Sequence, residues 1–149
     1  MDRKLLIVFC TLCIIVSFTQ VKGWPRGVPK EACNRLEPKH EKNRKQSSPA
    51  PFELKISKDR FSKSELVTVT ISGKNTASNN QTAFKGFLVV ARQPGSRTNI
   101  GLFKAPANGK LMNCSYEGDS VTHKDPTPKN SVTFQWTPPS NLTGSVSFL

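Results

Sequence analysis

Alternation of apolar and polar residues along several short segments is the feature that most constrains the fold of this chain. In segments 52–57, 67–72, 132–136 and 145–148, every second side chain is apolar and its neighbours are polar. A period of two is typical of β-strands that bury one face. After residue 23, no segment sustains the 3.6-residue period of an amphipathic helix. We therefore predict an all-β protein.

Segment 84–92 differs because it is apolar on both faces, which predicts a central strand that is covered on both sides. Eleven prolines and nine glycines separate the strand-like segments, for example at 94–95, 108–109 and 138–139. Short alternating strands with turn signals between them indicate an antiparallel β-sandwich. We expect about seven or eight strands in two sheets.

Residues 1–23 have the features of a secretory signal peptide. Arg3 and Lys4 precede an apolar run over 5–18, and short residues around Gly23 offer a cleavage site. The run is shorter than the ~20 residues that a membrane-spanning helix needs. We predict a secreted, extracellular protein without a membrane span, whose single domain covers residues 24–149.

Cleavage would leave two of the four cysteines, because Cys10 and Cys13 lie in the predicted leader. In an oxidising compartment, two remaining cysteines usually bond to each other. We therefore predict a disulfide between Cys33 and Cys114. A bond that closes so long a loop stabilises a domain by up to roughly 4.5 kcal/mol in the chain-entropy model. Its role would be structural, pinning the segment that follows residue 23 onto the sandwich.

Catalytic patterns are scarce in this sequence. Metalloprotease, nucleophile-elbow and phosphate-loop motifs are absent, and the acidic residues are scattered. We predict no catalytic residues and no cofactor. Two histidines, His40 and His123, follow the two cysteines and could converge near the disulfide as metal ligands. Two imidazoles without a third ligand make a weak site, so we favour the alternative that each histidine hydrogen-bonds to backbone, and we predict no metal.

The formal charge of +12 would attract polyanionic partners such as bacterial envelopes or sulfated glycans, but the charge alone supports plain solubility equally well. We predict that the densest basic run forms an exposed loop, which supplies the candidate contacts Lys39, Lys42, Arg44 and Lys45. A merely solvated connector is the favoured alternative for this loop. Secretion, and the lack of interleaved basic and aromatic residues, argue against specific nucleic-acid binding. The sequence does not determine the oligomeric state.

Three N-x-[ST] sequons are candidate glycosylation sites: Asn80, Asn113 and Asn141. The sequence predicts that Asn80 and Asn141 lie in polar turn segments. Asn113 adjoins Cys114 and is the least favoured.

Several of these residues together resemble the reeler (reelin N-terminal) domain family. The similarity begins at Pro25-x-Gly27-x-Pro29, Cys33 and Pro38-x-His40, and is strongest in the F-x-G-F-L block at 84–92. It continues, in the family's order, through 67–73, Gly101-Leu102-Phe103, Cys114, Val121-Thr122-His123 and Phe134-x-Trp136-x-Pro138-Pro139. The resemblance covers residues 24–149 and implies an immunoglobulin-like sandwich, a Cys33–Cys114 disulfide and no catalytic residues.

The resemblance implies three settings for the function. The first is a small secreted defence protein of innate immunity, which would bind anionic microbial surfaces. The alternative is the extracellular N-terminal domain of a ferric-chelate-reductase-like membrane protein, and the third is an adhesion module of the extracellular matrix. Family members continue with another strand beyond the position of Phe148. Two explanations are open: the sequence is a fragment, or a short variant tolerates an open sheet edge. We favour the fragment, and therefore expect the domain to be C-terminally incomplete and the last strand to be lacking.

Overall fold

The computed structural model describes residues 24–37, 46–58, 60–62, 65–75 and 81–149. Within them, eight strands form two four-stranded antiparallel sheets. The strands are β1 (Phe52–Ile56), β2 (Val67–Gly73), β3 (Leu88–Arg92), β4 (Leu102–Lys104), β5 (Gly109–Met112), β6 (Ser120–His123), β7 (Ser131–Thr137) and β8 (Ser147–Phe148). One short helix, α1 (Ala32–Arg35), precedes them. The predicted all-β sandwich of seven or eight strands is confirmed.

Sheet 1 has the strand order β1-β2-β7-β4, and sheet 2 has the order β5-β6-β3-β8. The register of sheet 1 pairs Val67 with Trp136 and Val69 with Phe134. These four side chains are buried, whereas Thr68 and Thr133 of the same strands point to the other face. The period of two in the sequence therefore gives sheet 1 one apolar face, and that face packs into the core.

Aromatic rings fill the space between the sheets. Trp136 is fully buried, and its ring makes edge contacts with Phe61 and Phe148 at centroid distances of 5.5 and 5.2 Å. The Trp136 Nε1–H donates to the Ile100 carbonyl at 3.0 Å, so the indole's polar atom is satisfied. The next residue, Gly101, has φ +71°, and a Cβ there would lie 2.4 Å from the indole. Only glycine fits this turn.

The predicted strand at 84–92 is shorter than the apolar run suggested. Strand β3 begins at Leu88, because the chain turns after Phe84, which instead exchanges backbone hydrogen bonds with Lys129 at 2.9 and 2.8 Å. Phe84 and Phe87 are buried by ring contacts with each other rather than by strand pairing. The prediction of double coverage is confirmed for β3 itself: Val89 and Ala91 join the core cluster, and Val90 between them is also fully buried.

An N-terminal arm, residues 24–37, covers the outer face of sheet 2. The Val28 N–H donates to Thr122 Oγ1 of β6 at 3.4 Å, and a guanidinium N–H of Arg92 in β3 donates to the Cys33 carbonyl at 2.8 Å. The predicted disulfide joins Cys33 of α1 to Cys114, 81 residues later. Val90 and Thr122 are buried on sheet 2 because the arm forms a third layer over them.

The predicted signal peptide over 1–23 lies outside the described residues. In the described part of the chain, no helix has the length and apolarity that crossing a bilayer requires.

Replacing both bonded cysteines, Cys33→Ser with Cys114→Ser, should lower the free energy of unfolding by about 2–5 kcal/mol, because the unfolded chain regains the freedom of a long closed loop. Urea denaturation monitored by tryptophan fluorescence measures this change. Wild-type protein in reductant should match the double variant. Equal midpoints for oxidised wild type, reduced wild type and the variant would show that the bond carries no stability.

Candidate functional site

A buried polar cluster lies beneath the arm and is centred on Asp119, which is fully buried. Its carboxylate accepts hydrogen bonds from the backbone amides of Cys114 at 2.8 Å, Ser115 at 2.7 Å and Tyr116 at 3.3 Å. The Ser120 hydroxyl, at 3.1 Å, also donates to it. Asp119 therefore fixes the loop that carries one end of the disulfide.

Arg92 and Asn99 extend this cluster to the other end of the disulfide. Asn99 donates to the Asp119 carboxylate at 3.2 Å and accepts from Arg92 Nε at 2.8 Å. The Arg92 Nη2 then reaches the carbonyl of Cys33. Burial lowers the pKa of Arg92, and the negative charge of Asp119 partly opposes that shift. Buried charges need such partners, because an unpaired one would cost several kcal/mol.

Tyr116 closes the same loop from outside. Its hydroxyl lies 3.1 Å from the Asn99 carbonyl and 3.2 Å from the Gly101 carbonyl. Partial burial and the nearby Asp119 charge raise the pKa of Tyr116. The hydroxyl thus acts as a hydrogen-bond donor that connects the disulfide loop to the turn before β4.

His123, a weak metal candidate in the sequence, is buried at the end of β6. Its Nε2 lies 2.9 Å from the Trp24 carbonyl. A carbonyl only accepts, so Nε2 carries the hydrogen, and Nδ1 then accepts the Phe87 N–H at 3.2 Å. Backbone groups engage both ring nitrogens, and the ring joins the start of the arm to the turn before β3. Among the described residues, no three His, Cys, Asp or Glu side chains cluster as metal ligands.

A second buried cation, Lys129, lies where the chain approaches β7. Its ammonium donates to the Asp125 carboxylate at 2.9 Å, the Asp125 carbonyl at 3.0 Å and the Thr127 carbonyl at 2.7 Å. Hydrogen bonds from Lys129 and Thr127 lower the pKa of Asp125 to about 2. Three acceptors saturate the ammonium, so this pair organises the 125–129 loop and leaves no reactive group free.

Exposed cations occupy the surface on the arm side of sheet 2. Arg26, Lys30 and Arg35 project from the arm, and Lys110 projects from β5. Lys110 lies against the arm, since a Cβ on Gly27 would come 2.7 Å from its Cε. We call these four residues the arm-side cations. Within the described ranges, none of the four forms an ion pair.

The structure describes only some of the sites that the sequence predicts. Cys33 and Cys114 come together, whereas the basic loop with Lys39, Lys42, Arg44 and Lys45, and also His40 and Asn80, lie outside the described residues. Asn141 is exposed in the turn between β7 and β8. Asn113 is exposed too, but its side-chain oxygen accepts the Gly118 N–H at 3.1 Å. Glycosylation at all three asparagines stays a prediction.

Sequence reasoning missed Arg92, Asn99 and Asp119. Arg92 is the last residue of the apolar block at 84–92. A charged residue in a strand that is covered on both faces needs a buried hydrogen-bonding partner, so its position could have predicted a buried polar cluster. Asp119 gave no comparable signal. It follows a polar turn, and only the structure brings it beneath the arm.

The structure is that of a small extracellular-type β module. A disulfide-tethered arm packs over a two-sheet sandwich, and a buried polar cluster lies at the disulfide. The model of the reeler domain family matches residues 31–149, so the chain belongs to that family.

Relatives of known sequence fall into two groups. "Putative ferric-chelate reductase 1" of Danio rerio is 34% identical over 92% of this chain, but the match spans 24% of the reductase. "Putative defense protein Hdd11" of Hyphantria cunea is 31% identical over 91% of this chain and 81% of that protein. "Defense protein l(2)34Fc" of Drosophila melanogaster is 28% identical over 92% of this chain and 80% of that protein. The chain thus spans about a quarter of the reductase and most of the defence proteins.

Solved structures of the human F-spondin reeler domain share the fold. One fragment superposes with a TM-score of 0.57 at 21% identity, covering 69% of this chain and 74% of that one. A second fragment gives 0.56 at 21% identity over 66% and 75%. The agreement concerns the fold of the sandwich.

Asp119→Asn should lower the free energy of unfolding by roughly 2 kcal/mol or more, since it removes the charge that Arg92 faces and turns one acceptor into a donor opposite backbone amides. Thermal and urea unfolding measure the change. The matched control is Glu117→Gln, an exposed neighbour two residues away, which should alter stability by less than about 0.5 kcal/mol. Similar small effects in both variants would contradict a structural role for the cluster.

Proposed function

We propose that this protein is a secreted, non-enzymatic binding protein of the defence type, which adheres to anionic microbial surfaces through its arm-side cations. The observation that carries the proposal is that three cations on the arm, Arg26, Lys30 and Arg35, and Lys110 beside the arm are exposed. None of them has an ion-pair partner in the described part of the chain. The similarity to the defence proteins, over about four fifths of their length, supports the same conclusion.

The arm itself has a small cationic excess, because its three cations outnumber Glu31 and Glu37 by one. Lys110 beside the arm and the basic residues that follow in the sequence add to that positive charge. The disulfide and the Asp119 cluster hold the arm against sheet 2, so its cations are presented on a rigid support. A preorganised charged face loses less conformational entropy on binding than a loose tail would.

No acid, base and nucleophile converge in the clusters around Asp119, His123 and Lys129. Asp119 accepts backbone amides, His123 is held by backbone on both nitrogens, and Lys129 is saturated. Each group is engaged in holding a loop, which supports a binding role over catalysis.

A second candidate is the extracellular N-terminal module of a ferric-chelate-reductase-like membrane protein. The observation that favours it is the 34% identity with the Danio rerio protein, confined to 24% of that protein's length. In that setting, redox chemistry would belong to the rest of the polypeptide. Sequencing the complete transcript tests this candidate: downstream apolar segments of about 20 residues would decide for it.

The fold likeness to F-spondin leaves an adhesion module of the extracellular matrix as a third candidate. Its ligand would be a sulfated glycan, which the arm-side cations could also bind. A competition experiment with heparin and bacterial lipopolysaccharide shows which of the two polyanions the protein binds with higher affinity.

Neutralising two arm-side cations, Arg26→Gln with Lys110→Gln, should weaken binding to vesicles that contain lipopolysaccharide by roughly tenfold or more, because each cation near an anionic surface contributes about 1 kcal/mol. Co-sedimentation measures the affinity. The control, Lys74→Gln with Lys104→Gln, removes the same charge from two exposed lysines, one directly after β2 and one at the end of β4, and should have a clearly smaller effect.

Binding should also fall as salt rises to about 1 M, where charges are screened beyond about 3 Å. Salt-independent binding, or equal losses in the two double variants, would contradict adhesion through the arm side.

A further inference from the structure

Three large apolar side chains are exposed around the loop that joins β5 to β6. Leu102 of β4 is 52% exposed, Leu111 of β5 is 38% exposed and Tyr116 of the loop is 40% exposed. Both leucines lie beside Gly118, because a Cβ on this glycine would come 3.8 Å from a methyl carbon of each. The Tyr116 hydroxyl donates to the carbonyl of Gly101, the residue before Leu102. We call Leu102, Leu111 and Tyr116 the loop-side patch.

The loop that carries this patch is held in one position. Its backbone amides donate to the buried carboxylate of Asp119, and the Gly118 carbonyl accepts the Phe103 N–H of β4 at 2.8 Å. Exposed apolar side chains that cluster, rather than lie singly, mark a surface that another group covers or that promotes association.

The side chain of Asn113 is fixed next to the patch. Its Oδ1 accepts the Gly118 N–H at 3.1 Å. An N–H group only donates, so the oxygen is the atom that faces Gly118, and the amide nitrogen Nδ2 is left for another bond. Within the described ranges, Nδ2 has no hydrogen-bond partner. Asn113 stays exposed with the Cys33–Cys114 bond formed, so the neighbouring disulfide leaves this amide accessible.

Asn113 is also the first residue of an N-x-[ST] sequon that ends at Ser115. We propose that Asn113 carries an N-linked glycan whose first sugar packs on the loop-side patch and shields it from water. This inference rests on the export that the proposed function assumes. One face of a pyranose ring presents C–H groups, and their contact with the leucines and the tyrosine ring removes apolar surface from water. The sequence alone ranks Asn113 last, because it shows neither the patch nor the fixed amide.

The attachment is a transfer from a lipid-diphosphate-linked oligosaccharide to the extending chain. The Asn113 Nδ2 bonds to the anomeric carbon of the first N-acetylglucosamine, and the bond from that carbon to the phosphate oxygen breaks. The lipid diphosphate leaves, and the amide nitrogen loses one proton. The Oδ1 keeps its bond to Gly118, so the folded loop accommodates the product unchanged.

A glycan at this position leaves the proposed adhesion face open. Lys110 and Leu111 are consecutive in β5, so their side chains point to opposite faces of the strand. Lys110 lies against Gly27 of the arm, whereas Leu111 lies beside Gly118. The glycan therefore covers the side of β5 that does not face the arm.

Secretion of the full chain from cultured insect cells tests the attachment. Peptide N-glycosidase in heavy-oxygen water converts each glycosylated asparagine to labelled aspartate, and mass spectrometry should find the label at Asn113. An exported chain with unlabelled Asn113 would overturn the proposal. In a parallel expression, the leader of an unrelated secreted protein replaces residues 1–23. Labelled Asn113 there, with the native chain retained in the cell, would support the glycan and contradict only the secretion in the proposed function.

Ser115→Ala tests the shielding, because it removes the sequon and keeps both Asn113 and the Ser115 backbone bond to Asp119. The secreted variant should lose one glycan, and its anilinonaphthalene-sulfonate fluorescence should rise by about twofold or more, since the patch is uncovered. Thr143→Ala, which removes the exposed sequon of Asn141, is the matched control and should leave the dye signal unchanged. An unchanged signal in glycan-free Ser115→Ala would contradict the shielding.

Two further measurements make the result independent of how well the variant folds. Enzymatic removal of the glycan from folded wild type should raise the dye signal as Ser115→Ala does, and Leu102→Ser with Leu111→Ser should abolish that rise. Vesicle adhesion should be the same with and without the glycan, so the failure of adhesion and the failure of shielding can be told apart. If Asn113 is unmodified and the two serine substitutions abolish self-association of the chain, the patch is a contact between copies, and the glycan proposal is wrong.

Discussion

The disulfide between Cys33 and Cys114 is the constraint on which the rest of the structure depends. It ties the arm to the loop before β6, and the arm then covers Val90, Arg92 and Thr122 on the outer face of sheet 2. A sandwich sheet normally exposes its outer face to water. Here the tether converts two layers into three, which explains why β3 is apolar on both sides.

The buried polar cluster determines where the disulfide-tethered arm lies on sheet 2. Breaking a buried charge pair is costly, although the pair itself contributes little net stability. Arg92, Asn99 and Asp119 satisfy one another and also bond to the backbone at both cysteines. The cluster therefore selects one position of the arm over other positions that the disulfide alone would permit. That fixed position holds the arm, with its exposed cations, against sheet 2.

The parts of this fold that follow from local patterns could be predicted from the sequence. The alternation at Val67, Val69 and Phe134 requires one buried face, and the two cysteines that follow the predicted leader have one partner each. Non-local contacts could not be predicted. Phe84 and Phe87 have the residue types of a strand, yet ring packing and the bridge to Lys129 take them out of β3. Asp119 and Arg92 lie far apart in the sequence, and only the fold links them through Asn99.

Hydrogen–deuterium exchange of individual amides, before and after selective reduction of the disulfide, tests the central role of the tether most directly. In the oxidised protein, the Val28 amide should be protected by its bond to Thr122. After reduction, protection at Val28 and at the Cys114 amide should fall by orders of magnitude, while the β2–β7 amides around Val69 stay protected. Fast exchange at Val28 in the oxidised protein, or unchanged protection after reduction, would contradict the account.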